Sequence, residues 1–137
     1  MKPNSQLMIG ALLCMLAVIL GAFGAHGLKA MISERMLEVY QTGVHYQMFH
    51  SCGILVVGIL SLFKEASPLP HSQKLLNASY SFFLLGIIVF CGSLYGLAFS
   101  EAFTGEAVRL LGAITPFGGL SFIAGWLCLF LAFRKAN

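Results

Sequence analysis

Few side chains in this sequence could carry out chemistry, and those few are neutral. There is no aspartate among the 137 residues, which leaves a Ser-His-Asp triad and a paired-carboxylate mechanism without a basis. Imidazole, phenol, amide and hydroxyl groups can still line a polar pocket, and two imidazoles can hold a metal or haem. The polar side chains that we predict as candidates for one functional cluster are His26, Tyr46, Gln47, His50, Tyr95 and Thr115.

A metal or haem site would need His26 and His50 as its ligands. Neither His-x₃-His nor Cys-x₂-Cys spacing occurs in the sequence, so the usual ligand pattern is missing. The alternative interpretation is that these histidines and tyrosines lie at a membrane interface and hydrogen-bond to helix ends. We therefore predict no metal, no cofactor and no enzymatic activity, and both interpretations of the polar cluster stay open.

The elements that must position these side chains follow from the charges. Only 13 residues carry a fixed charge, which is 9%, whereas soluble domains have about 25%. This composition excludes a soluble monomer, a disordered tail and a nucleic-acid-binding module. A helix crosses the roughly 30 Å hydrocarbon core in about 20 residues, so an uncharged gap of 24 to 26 residues fits one crossing. Four such gaps lie between Lys2 and Lys29, Glu38 and Lys64, Lys74 and Glu101, and Arg109 and Arg134.

The gaps predict an all-α membrane protein, an antiparallel bundle of four transmembrane helices in a single domain over residues 1–137. Near-continuous apolar runs favour helices over barrel strands, which would alternate in polarity. The first apolar stretch is longer than that of a signal peptide, so we expect it to remain as a span. The approximate spans are residues 6–26, 43–63, 78–99 and 115–134.

Local signals predict where two of the helices begin. Ser33 can cap a helix and Glu34 suits its positive end, so we expect the second helix to be extended at its N-terminal end by an amphipathic segment. Thr115 and Pro116 predict the N-cap and first residue of the fourth helix, because proline costs nothing at that position.

The remaining links differ in character. Residues 64–77 include Pro68 and Pro70 and predict an exposed loop. Residues 101–113 mix charged and large apolar side chains and predict a short interfacial helix.

Small residues recur at alternating steps of three and four along every predicted span. This spacing is typical of the contact face of helices in a left-handed bundle. Cysteine behaves as a small apolar residue, and we assign the four cysteines to packing as well. Gly92 and Gly96 form a GxxxG pair, a pattern that favours a homo-oligomer. The residues predicted for helix packing are Gly21, Gly24, Gly86, Ser93, Gly96, Gly118 and Gly125.

Lysine and arginine in the short loops predict the orientation, because these residues favour the cytoplasmic side. With four spans, the termini and the middle loop share one side, which holds five basic residues against three on the other. Both termini are therefore expected in the cytoplasm. The five are Lys2, Lys64, Lys74, Arg134 and Lys135, and the three are Lys29, Arg35 and Arg109.

Four sequence blocks, in this order, resemble the signatures of a family of small inner-membrane proteins, the YgdD-like family or domain of unknown function 423. His45 and Cys91 depart from the residues expected there, so neither is expected to be a fixed catalytic group. The resemblance implies a bacterial inner-membrane protein of about this length, and it brings no established reaction, substrate or cofactor. The blocks are residues 21–28 (GAFGAHGL), 40–50 (YQTGVHYQMFH), 90–95 (FCGSLY) and 114–119 (ITPFGG), the last followed by Gly125-Trp126.

Together these observations predict a non-enzymatic accessory or structural module embedded in the lipid bilayer. Its tiny loops and packing stripes suit a homo-oligomer or a subunit of a larger membrane complex, without nucleic acid as a partner. One alternative is a small channel or facilitator whose entrance is lined by the polar cluster. A second alternative is a haem or redox protein that uses His26 and His50.

Overall fold

The computed structural model describes residues 2–63 and 72–134, which form four long helices. Within these residues there is no strand, and a short 3₁₀ turn, Leu28–Ala30, connects the first two helices. Each long helix is apolar enough to cross a membrane. The predicted all-α architecture with four spanning helices is therefore confirmed. The helices are α1 (Pro3–His26), α2 (Glu34–Leu62), α3 (Gln73–Thr104) and α4 (Arg109–Arg134).

The start of α2 follows the signals in the sequence. The Ser33 hydroxyl accepts a hydrogen bond from the Met36 N–H at 3.3 Å, and Glu34 lies in the first turn. Met36 and Tyr40 are buried while Arg35 is exposed, so the first turns of α2 are amphipathic. The predicted N-terminal extension of the second helix is confirmed.

The expected start of the fourth helix at Thr115 is wrong. The helix begins at Arg109, and Pro116 lies inside it. Instead of capping, the Thr115 hydroxyl donates to the Leu111 carbonyl at 3.2 Å within the helix. Proline is tolerated inside membrane helices because neighbouring side chains and helices compensate for the freed backbone groups. A Thr-Pro pair therefore fits a helix interior as well as a helix start.

The short interfacial helix expected over residues 101–113 is absent from this described part of the chain. Helix α3 continues to Thr104 and ends at Gly105, whose φ of 79° is left-handed and whose N–H donates to the Glu101 carbonyl. Residues 105–108 alone form the connection to α4. Of the loop expected over residues 64–77, residues 64–71 lie outside the described residues, and α3 has already begun at Gln73.

Helices α2 and α3 pack against each other at the centre, with α1 mainly against α2 and α4 mainly against α3. The small residues predicted for packing lie where the helices approach most closely. A Cβ atom at Gly24 would lie 2.6 Å from the Tyr40 ring, and one at Gly125 would lie 2.6 Å from the Phe83 ring. At Gly118 the obstruction would be the backbone nitrogen of Phe90, which belongs to another helix.

The other predicted packing residues also lie where two helices are in close contact. A Cβ atom at Gly86 would collide with Phe122, one at Gly96 would lie 2.9 Å from Leu111, and one at Gly21 would lie 3.4 Å from Val44. Ser93 is buried against α4. Within the bundle Gly92 has open space around it, whereas Gly96 packs against Leu111.

Helix α3 contains a π-helical segment at its centre, Ile87–Cys91. Such segments are rare and often lie at functional sites. Here the segment carries Phe90, which packs both against Gly118 of α4 and against Tyr46 of α2, with ring centroids 4.6 Å apart. The segment therefore shapes the contact between three helices, and no feature of the sequence predicted it.

Candidate functional site

Gln47 connects three helices in the interior of the bundle. Its side chain is 4% exposed. The Nε2 atom donates to the Leu13 carbonyl of α1 at 3.0 Å, and the Oε1 atom accepts from the Tyr95 hydroxyl of α3 at 2.8 Å. Both ends of the carboxamide are thus paired across helices, as a buried amide requires. Gln47 and Tyr95, two of the predicted cluster residues, are in direct contact.

A second tyrosine extends this polar centre. The Tyr40 hydroxyl donates to the Leu20 carbonyl of α1 at 2.8 Å, and the Tyr40 and Tyr95 ring centroids are 5.1 Å apart. Tyr40 is fully buried beneath Gly24. It was not among the predicted candidates, although it lies seven residues, about two helical turns, before Gln47 on the same helix. The packing stripe of α2 continues through it toward the N-terminus.

His50 is buried within a layer of aromatic rings. Its Nδ1 atom lies 2.8 Å from the Tyr46 carbonyl oxygen, which can only accept, so Nδ1 carries the proton. Its ring stacks on Phe122 of α4 with centroids 3.5 Å apart and planes inclined by 12°. Tyr46 stacks on Phe90 and has an exposed edge. These two predicted residues therefore belong to an aromatic contact of α2 with α3 and α4, separate from the Gln47 hydrogen bonds.

Thr115 forms a third polar contact, with Ser93. The two hydroxyl oxygens lie 2.7 Å apart and join α4 to α3. The Ser93 hydroxyl also lies 2.8 Å from the Phe90 carbonyl, at the end of the π-helical segment. This pair reinforces the close approach of the two helices near Gly118.

His26 is not brought to the other candidates. It is exposed at the end of α1, whereas Gln47 hydrogen-bonds to Leu13, halfway along that helix. Thirteen residues at 1.5 Å each separate Leu13 from His26 by about 20 Å along the helix. The six predicted residues therefore form three separate contacts and one isolated histidine instead of a single cluster at one end of the bundle.

Sequence reasoning missed a buried amide cluster at the opposite end of the bundle. Gln6 has no exposed surface and donates to the Asn77 side-chain oxygen at 3.2 Å. Gln73 donates to the same oxygen at 3.2 Å and to the Ser61 hydroxyl at 3.0 Å. Asn77 and Gln73 lie outside the predicted third span, because that span was drawn from residue 78. Only the four-residue spacing of these two amides could have indicated a shared helix face.

Among the described parts of the chain, no three histidine, cysteine, aspartate or glutamate side chains lie close enough to share an ion. His26 and His50 in particular lie on different parts of the bundle, as described above. The arrangement of polar groups is one of hydrogen bonds between helices.

Four apolar helices joined by buried hydrogen bonds, with large apolar side chains exposed around them, define a small multi-pass membrane protein. Residues 20–119 match the family model described as "Protein of unknown function (DUF423)", and the chain belongs to this family. The predicted membership in the domain of unknown function 423 is confirmed.

Similar proteins occur in distant bacteria. A UPF0382 membrane protein of Staphylococcus haemolyticus is 40% identical over 131 residues, covering 94% of both chains. The UPF0382 membrane protein YwdK of Bacillus subtilis is 40% identical over 129 residues, covering 94% of this chain and 95% of its own. A UPF0382 membrane protein of Haemophilus influenzae is 39% identical over 126 residues, covering 92% and 90%. No solved structure shows a significant match.

Proposed function

We propose that this protein is a non-enzymatic accessory or structural module of a bacterial inner (plasma) membrane, with both termini in the cytoplasm. The observation that carries the proposal is the pairing of Gln47 with Leu13 and Tyr95. The most buried amide near the centre of the bundle has both its polar atoms bonded to neighbouring helices. A group used in this way stabilises the assembly of helices and is not free to bind or transform a substrate.

The same pairing favours a structural role over a channel. A conducting path would require polar side chains that face water along the bundle. Gln47, Tyr95, Ser93 and Thr115 instead hydrogen-bond to each other or to backbone carbonyls. The haem alternative is disfavoured by the separation of His26 from His50.

The outer surface offers area for a partner within the bilayer. Phe117 of α4 is 69% exposed, and Met8 of α1, on the other side of the central helices, is 73% exposed. In a bilayer such surfaces contact either lipid or another membrane protein, since the hydrophobic effect does not distinguish between them. An accessory module would use one of these two edges.

Site-specific photocrosslinking in living cells tests the proposal. A photoreactive phenylalanine analogue is placed at position 117 or at position 8, and adducts are identified after irradiation. We expect a discrete protein adduct from one edge and lipid adducts from the other, which serves as its matched control. Lipid adducts alone at both positions, together with a monomer in native lipid discs, would contradict an accessory role.

The proposed orientation has its own test. Fusion of alkaline phosphatase after Gly105, in the connection between α3 and α4, should give an active periplasmic enzyme. Fusion after Arg134 should give an inactive one, because the five-to-three excess of basic residues favours cytoplasmic termini. The reverse pattern of activities would overturn the orientation without affecting the accessory role.

A further inference from the structure

A lateral groove opens between α2 and α4 at the middle of both helices. Its volume is about 520 Å³, within the range of small-molecule sites. His50 and Phe122 form its floor and are 4% and 3% exposed. Leu120 and Ile123 at its rim are 62% and 65% exposed. The groove therefore has a buried aromatic floor and an apolar rim that faces the bilayer.

One polar atom on the groove floor lacks a partner. The Nδ1 atom of His50 is bonded to the Tyr46 carbonyl, which leaves Nε2 as a hydrogen-bond acceptor in the neutral ring. Among the described residues no hydrogen bond involves this Nε2 atom. In the hydrocarbon surroundings that this groove faces, an acceptor without a donor is unfavourable. The groove thus lacks one hydrogen-bond donor at a defined position.

The surrounding side chains select the kind of donor. Aromatic rings of Tyr46, Phe90, Phe122 and Trp126 line the groove, and they favour a flat ring that can stack on them. A lipid acyl chain would fill the volume but has no hydrogen to donate. Water can donate, but it is scarce in the hydrocarbon core.

We infer that this groove binds a small, planar, membrane-soluble phenol or hydroquinone, whose hydroxyl donates a hydrogen bond to His50 Nε2 while its ring stacks between α2 and α4. This inference does not depend on the proposed accessory role. It assigns a ligand site to residues that the proposed function does not use.

Binding in the groove can be followed by the intrinsic tryptophan fluorescence of the chain. Trp126 is the only tryptophan in the sequence and lines the groove. In detergent micelles, 2-naphthol and its methyl ether, 2-methoxynaphthalene, both accept energy from tryptophan, and only 2-naphthol can donate a hydrogen bond. We expect saturable quenching by both, with 2-naphthol binding roughly five- to tenfold more tightly, as one hydrogen bond predicts. This comparison needs no substitution, so it is independent of the folding of any variant.

Three variants test whether the tighter binding of 2-naphthol arises from His50 in the groove. His50→Phe keeps the stacked ring but removes Nε2, so it should weaken 2-naphthol to the affinity of the ether and leave the ether unchanged. His26→Phe, the same substitution at an exposed site outside the groove, should change neither ligand. Gly119→Leu should abolish saturable quenching by both, because a Cβ atom at Gly119 meets only ordinary contacts at 3.9 Å and its side chain would occupy the groove.

The possible results distinguish a failure of the proposed hydrogen bond from a failure of the proposed site. Equal affinities of the two ligands for the wild type, or an unchanged preference in His50→Phe, would overturn the hydrogen bond to Nε2. Quenching that does not saturate, or that persists in Gly119→Leu, would show partition into the micelle and overturn the site itself. The crosslinking outcome at positions 8 and 117 is unaffected by any of these results, so the two proposals can fail separately.

Discussion

The Tyr95 hydroxyl of α3 donates to the Gln47 carboxamide of α2 at 2.8 Å, in the interior of the bundle. Because the same carboxamide donates to the Leu13 carbonyl of α1, one side chain holds three helices in register. In lipid, apolar contact alone does not fix how helices are rotated against each other. The pair therefore specifies the arrangement as well as stabilising it.

Replacing Gln47 by Leu should lower the free energy of unfolding by about 1–3 kcal/mol, because two interhelical hydrogen bonds are lost and the Tyr95 hydroxyl loses its acceptor. Equilibrium unfolding in mixed micelles with rising dodecyl sulfate, followed by circular dichroism, measures the change. Gln41→Leu, at an exposed position of the same helix, is the matched control. Equal stability of the two variants would contradict this role of Gln47.

Two adjacent glycines should respond differently to the same substitution. Gly118→Ala places a methyl group against the backbone nitrogen of Phe90, which cannot move independently, and should destabilise the fold by about 1–3 kcal/mol. Gly119→Ala meets only the Phe90 ring at 3.9 Å and should be neutral or stabilising by up to about 1 kcal/mol. Thermal unfolding of both variants in one detergent gives the comparison, and the reverse order of stability would refute the packing described for α3 and α4.

Tyr40→Phe should reduce stability by about 0.5–1.5 kcal/mol, since it removes only the hydroxyl that donates to the Leu20 carbonyl. Tyr46→Phe supplies the control, because the Tyr46 hydroxyl makes no hydrogen bond among the described residues. Hydrogen exchange of the amides near the C-terminal end of α1 should increase in the first variant alone. Unchanged exchange in Tyr40→Phe would argue against a bond between α1 and α2 at that place.

The start of α2 depends on one hydroxyl. Ser33→Ala should destabilise the helix by about 1 kcal/mol, whereas Ser33→Asn should retain the cap, because the asparagine side-chain oxygen also accepts from the N–H groups of the first turn and adds no charge beside the Glu101 carboxylate. The melting temperature of each variant checks this ranking. If alanine and asparagine have the same effect, the cap does not contribute to stability.

Some of the fold could be predicted because the signal is local. Ser33 and Glu34 fix the start of α2 through groups within one helical turn, and the structure agrees. Thr115 and Pro116 form an equally local signal that failed. The preceding residues continue the helix back to Arg109, and Thr115 hydrogen-bonds to Ser93 of α3, a residue that is distant in sequence.

The candidate site was predicted less well, for a related reason. Chain direction correctly brings the end of α1 and the beginning of α2 to the same end of the bundle, which suggested that His26 and His50 were neighbours. How deeply each residue lies and which way it faces depend on helix rotation. Those features placed Gln47 beside Leu13, placed His50 against Phe122, and left His26 exposed.

By itself the sequence determined that the chain crosses a membrane four times as helices, since uncharged gaps of sufficient length have no other stable arrangement in lipid. Through the spacing of glycine and serine, it also determined which helix faces carry side chains small enough for close packing. Only the tertiary structure decided which polar groups meet, because hydrogen bonds such as that of Gln47 with Tyr95 join residues 48 positions apart. Only it revealed the groove beside Trp126, whose lining combines residues from Tyr46 of α2 to Trp126 of α4.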